Sequence, residues 1–110
     1  MIAVDTNVLV RFLVEDDEEQ SARAAGVFES AAGKDRESYV SDLVLAETVW
    51  VLRRCYRFER AEIANVLQQL LRSRQLAFCD TDRLAHCLAA FAGGSADFAD
   101  YLIGRLAKEQ

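Results

Sequence analysis

The sequence predicts an α/β fold, a three-layer α/β/α arrangement in which a short parallel sheet of three recognisable strands carries helices on both faces. Three observations predict it. Short strand-like runs at 2–5 (IAVD), 38–41 (SYVS) and 76–79 (LAFC) are each followed by segments with apolar residues at helical spacing. Strands separated by helices pair in parallel through right-handed crossovers, not through hairpins. No proline, Gly/Ser linker, low-complexity tract or internal repeat breaks the order, so residues 1–110 are expected to form a single domain.

The elements follow in order. Residues 2–5 form the first strand, which stops on Asp5, and 7–14 (NVLVRFLV) are expected to be helical despite their β-branched content. An acidic turn at 15–19 precedes a helix over 18–32, where Ala22, Ala25, Phe28 and Ala32 share a face. After the strand at 38–41, Ser41 or Asp42 can cap a helix over 42–57, and Arg53, Arg54 and Arg57 suit its C-terminal end. Residues 60–73 repeat the pattern, with Ile63, Val66, Leu67, Leu70 and Leu71 on one side. The strand at 76–79 leads to a helix over 82–92 started by Asp80 or Thr81 and stopped by Gly93 and Gly94; Ser95 or Asp97 then caps a last helix.

No apolar run approaches the ~20 residues that cross a bilayer. No basic stretch precedes the opening apolar run and no small-residue cleavage site follows it, so the expected compartment is the cytoplasm. Cys55, Cys79 and Cys87 have neither an even count nor metal-site spacing and are expected to be reduced core residues. The lone His86 is expected to be structural. A net charge of −5 argues against a basic nucleic-acid face, but the surplus sits in residues 15–19; elsewhere acids and bases balance at 13 each. That acidic run is expected to be a solvated helix start.

Four acids stand out from this background. Asp5 ends the most apolar strand, and ligands of parallel sheets gather at the carboxyl ends of strands. Glu47 lies among Leu43, Val44, Leu45, Ala46, Val49, Trp50, Val51 and Leu52, either exposed at one edge of the segment or buried and then paired or metal-bound. Asp97 and Asp100 lie three residues apart on the last helix; Asp97 can serve as a cap, whereas Asp100 starts toward a core face formed by Leu102, Ile103 and Leu106 and ranks higher as a ligand. Converging carboxylates need a cation, and hard oxygen donors select Mg²⁺ or Mn²⁺, whose chemistry suits phosphodiester hydrolysis. No glycine-rich phosphate loop is present. A haloacid-dehalogenase-type phosphatase also starts from a strand-terminal aspartate, but it wants a second acid where Asn7 stands.

Taken together, "VDTNVLV", "SDLVLAETVWVLRR" and "ADFADYLIG" resemble the PIN domain, and within it the VapC-like ribonuclease toxins of toxin–antitoxin pairs; the likeness covers essentially the whole chain. It implies Asp5, Glu47 and Asp100 as metal ligands with Asp97 as an accessory acid, and Thr6 and Asn7 as supporting polar groups. It further implies metal-dependent cleavage of RNA, a cognate antitoxin and a homodimer. Arg11, Arg53, Arg54 and Arg57 are the candidate phosphate contacts, set against an ordinary role at a helix end or in solvent. The family's sheet continues past the last helix into a strand bearing a fourth acid, which these residues do not include. The first strand is accordingly expected to offer an unpaired edge that self-associates or recruits a partner. The alternative function is a catalytically weak or inactive PIN domain that serves as a binding module.

Overall fold

The computed structural model describes residues 2–14 and 38–109. The helix expected over 18–32 and the acidic run at 15–19 lie outside the described residues. Within them the order is β1 (Ile2–Ala3), α1 (Thr6–Val14), β2 (Ser38–Val40), α2 (Asp42–Arg54), α3 (Arg60–Arg72), β3 (Leu76–Phe78), α4 (Thr81–Gly93) and α5 (Phe98–Lys108). The three strands form one parallel sheet in the order β1-β2-β3, with Ile2 opposite Ser38 and Ser38 opposite Leu76. Among the described residues β1 pairs on one side only, and Ile2 and Ala3 are exposed.

The strands are shorter than the sequence runs because each gives way to a helix cap at the same end of the sheet. Asp5 Oδ1 accepts the Val8 N–H at 2.8 Å, Ser41 Oγ accepts the Val44 N–H at 3.1 Å, and Asp80 Oδ1 accepts the Arg83 N–H at 3.0 Å. Each side chain satisfies an amide that the first helical turn would leave unpaired. Of the alternatives open in the sequence, Ser41 caps α2 and Asp80 caps α4.

The helix expected over 42–57 ends at Arg54. The chain reverses there, with the Phe58 N–H returning to the Leu52 carbonyl at 2.9 Å and Arg57 in the left-handed region at φ 58°. Arg57 therefore sits in a turn and not on the helix. α3 buries Ile63, Leu67 and Leu70, with Val66 and Leu71 at the margin. Leu9, Val40, Leu45, Leu52, Leu84 and Phe91 complete the middle of the core, each with essentially no exposed surface. The cysteines divide: Cys87 is buried, while Cys55 and Cys79 are exposed, contrary to the expectation that all three fill the core. Cys79 follows the last residue of β3 and Cys55 the last residue of α2, so both fall where an element ends at the surface. His86 is exposed and its Nδ1 lies 2.8 Å from the Asp82 carbonyl one turn back.

Candidate functional site

The parallel sheet delivers Asp5 to its carboxyl end, where the chain turns into α1. The Val4 N–H bonds the Tyr39 carbonyl at 2.8 Å, so the residue before Asp5 is still held to the sheet. One Asp5 oxygen caps α1; the other has no hydrogen-bond partner among the described residues. The next residue, Thr6, donates its hydroxyl to Glu47 Oε2 at 2.9 Å, across 41 residues of sequence. That bond ties α2 to the start of α1 and brings Glu47 to the end of β1. Glu47 is exposed, which settles the choice between an exposed and a buried acid. Asn7 is exposed in the same first turn of α1, and Arg11 is exposed one turn further on.

Helical geometry places Leu43, Glu47, Trp50 and Arg54 in one stripe along α2, because their spacings of four, three and four residues return to the same face. All four are exposed. Thr48, Val49 and Leu52 supply the opposite, buried face; the Thr48 hydroxyl is satisfied inside it by the Val44 carbonyl at 2.7 Å. Leu43 and Trp50 therefore do not bury Glu47 in apolar surroundings but are 67% and 57% exposed beside it.

The stripe borders α5 on one side. Asp97 stands at the N-terminal boundary of α5 without capping it; its carboxylate instead pairs with Arg53 at 2.9 Å. A groove of about 310 Å³ lies between these elements, lined by Trp50, Arg53, Arg54, Asp97 and Phe98. Asp100 is placed differently from its expected approach to a core face. The core face of α5 is made by Phe98 and Leu102, and Asp100 is exposed, lining a second groove with His86, Tyr101 and Arg105 between α4 and α5. Of the two late acids, Asp97 is the one that contacts α2.

The start of α5 is fixed by a residue that no sequence motif marks. Arg60, at the N-terminus of α3, donates to the Phe91 carbonyl at 2.8 Å and the Ala96 carbonyl at 2.9 Å while its guanidinium lies 4.3 Å above the Phe91 ring. Phe91 in turn meets Phe98 edge to face at 6.0 Å. The α4–α5 turn is closed further by the Ala96 N–H donating to the Tyr101 hydroxyl. A Cβ at Gly94 would overlap that hydroxyl and come within 2.8 Å of the Ala90 carbonyl, so close approach, not backbone conformation, requires glycine there.

Among the described residues no three His, Cys, Asp or Glu side chains gather closely enough to form a ready metal cage. The donors present still suit a hard divalent cation. Mg²⁺ is commonly held by one or two carboxylates, with water and substrate phosphate completing its octahedron, and the Asp5 and Glu47 carboxylates are all-oxygen, exposed and linked through Thr6. No curated protein and no solved structure matches the chain. The family model of the PIN domain matches residues 2–110, nearly the full sequence. With its parallel sheet, its Asp5 at a strand's carboxyl end and its Glu47 drawn to the same place, the chain belongs to the PIN domain family, whose members are generally nucleases dependent on divalent metal ions.

Proposed function

We propose that this chain is a metal-dependent endoribonuclease of the VapC-like type, the toxin of a toxin–antitoxin pair acting in the cytoplasm. The observation that carries the catalytic part is the Thr6–Glu47 hydrogen bond at 2.9 Å, which brings a second acid to the end of β1 beside Asp5. Asp5 and Glu47 would hold Mg²⁺ or Mn²⁺, with Asp97 and Asp100 as further acids at the start of α5. When bound, such an ion polarises the scissile phosphate and makes an attacking water more acidic. The protein's own part is placement. Asp5 is fixed by its cap to α1, Glu47 by the Thr6 hydroxyl, and Arg53 and Arg54 stand nearby to receive the phosphates of an RNA strand. Thr6 and Asn7 act as support, and Arg11 and Arg57 are outlying phosphate contacts. A cognate antitoxin and a homodimer complete the proposal.

Cleavage of single-stranded RNA in Mn²⁺, abolished by chelation and by Asp5→Asn, is the expected result. The absence of a three-acid group among the described residues favours a second reading, a PIN domain that binds without cutting. Failure to cleave any of a varied set of RNAs, with RNA binding retained, would select that reading. Recovery of the chain in a stoichiometric complex with the product of an adjacent small gene, with loss of cleavage, would support the antitoxin; activity unchanged by that product would dismiss it.

A further inference from the structure

We infer that Trp50 is a stacking platform for one base of a single-stranded RNA, and that Arg54, one turn further along α2, takes an adjacent phosphate; this rests on RNA being the substrate. Trp50 is the sole tryptophan of the chain, and it stands 57% exposed on a helix whose other faces are committed to packing. An indole left in water forgoes a large apolar burial, so its exposure beside charged groups asks for an occupant.

Its surroundings choose the occupant. On one side, three residues back along the same stripe, is Glu47, hydrogen-bonded to Thr6 beside Asp5. On the other, Trp50 shares a groove of about 310 Å³ with Arg53 and Arg54. Arg53 is already paired with Asp97, whereas Arg54 is exposed and has no ion-pair partner among the described residues. An apolar protein partner would be matched by a wide hydrophobic patch. Here the large apolar surface of the stripe is broken up, with Leu43 and Trp50 separated by Glu47 and followed by Arg54. An aromatic face next to an exposed guanidinium matches the base and the adjoining phosphate of one nucleotide of a single strand. A base can reach an indole face only when it is unstacked from its neighbours, so the platform selects single-stranded RNA over duplex. Every base has a π-face, so stacking here fixes the strand's position relative to Asp5 and Glu47 without reading its sequence.

The test uses the emission of this single tryptophan. Titration with an uncleavable 2′-O-methyl single-stranded oligonucleotide in Mg²⁺ should quench Trp50, and the same sequence as a duplex should not. Trp50→Ala should weaken binding by about 5- to 150-fold, the range for loss of one base–aromatic stack. Trp50→Phe, which keeps a ring, should recover most of that loss. In cleavage assays the change should fall on KM and leave kcat near the wild-type value. An unchanged affinity in Trp50→Ala would overturn the inference. So would a tryptophan spectrum that shifts with protein concentration alone and does not respond to RNA, which would place Trp50 in a contact between copies of the chain. The nuclease reading fails separately: a wild-type protein that binds and shows quenching but never cleaves keeps the stacking platform and loses the activity, whereas one that cleaves with a KM indifferent to Trp50→Ala does the reverse.

Discussion

Asp5 has two duties that substitution can separate. Its Oδ1 caps α1 through the Val8 N–H at 2.8 Å, and its carboxylate is proposed to hold a divalent cation together with Glu47. Asparagine caps a helix as well as aspartate does, because the amide oxygen accepts the same bond, but it offers the cation no charge. Alanine does neither. Loss of an N-cap costs about 1 kcal/mol. For a domain of this size, with an unfolding entropy of roughly 2.1 cal/mol/K per residue, that corresponds to a fall of about 4 °C in Tm. Asp5→Asn should therefore melt within about 2 °C of wild type without metal, and Asp5→Ala about 4 °C lower, by calorimetry in EDTA. In Mn²⁺ titrations followed by electron paramagnetic resonance, both variants should lose at least tenfold in affinity. A metal-dependent rise in the Tm of wild type should be missing from both, since a ligand stabilises only the state that binds it. Mn²⁺ affinity in Asp5→Asn equal to wild type would refute the reasoning and leave Asp5 as a helix cap and nothing more.

Three further outcomes are expected. Arg60→Ala removes two charge-assisted bonds to the Phe91 and Ala96 carbonyls and a cation–π contact, and should cost about 3 kcal/mol in denaturant unfolding, with Arg60→Lys restoring less than half. Gly94→Ala should destabilise by about 1–3 kcal/mol through overlap with the Tyr101 hydroxyl and the Ala90 carbonyl; Tyr101→Phe should lessen that loss, and a double-mutant cycle measures the relief. With a thiol reagent under native conditions, Cys55 and Cys79 should react and Cys87 should not, because burial both shields the Cys87 thiol and pushes its pKa up; mass spectrometry of the labelled chain counts them.

Much of this was legible where periodicity and capping chemistry agree. The three strands and the helices over the described residues follow from apolar spacing, and Ser41 and Asp80 act as the caps their residue types suggest. The end of α2 was not legible, because Cys55, Tyr56 and Arg57 carry no glycine or proline stop signal, and the helix is closed by a local turn in which Arg57 takes a left-handed conformation and the Phe58 N–H returns to the Leu52 carbonyl. Exposure along α2 was hidden for a related reason: Leu43 and Trp50 look like core residues by type, and only the packing of α1 and α5 on either side decides which stripe stays in water. Arg60 belongs to no motif at all. An arginine at a helix start looks like a solvated residue, and its two carbonyl partners lie 31 and 36 residues away in sequence.

The acids of the site are thus held with unequal firmness, and the difference bears on how the site assembles. Asp5 is anchored by the sheet and by its cap, so it is positioned before any ligand arrives, and Glu47 is tied to it by the single bond from the Thr6 hydroxyl. Asp97 is held by an ion pair whose side chains are 37% and 63% exposed. Exposed pairs of this kind contribute about 0–1 kcal/mol, too little to commit either partner. A divalent cation near Asp5 and Glu47 would compete for the Asp97 carboxylate, and an RNA phosphate would compete for the Arg53 guanidinium. Each exchange replaces a weak contact with one to a higher charge or a bidentate acceptor. Arg53→Ala should then leave stability within about 1 kcal/mol of wild type while changing two other readouts in opposite senses. Mn²⁺ affinity should rise, because Asp97 is released, and RNA affinity should fall, because a cation is lost. If neither moves, Asp97 and Arg53 form a fixed surface pair and take no part in the site; if both move in the same sense, the competition is refuted.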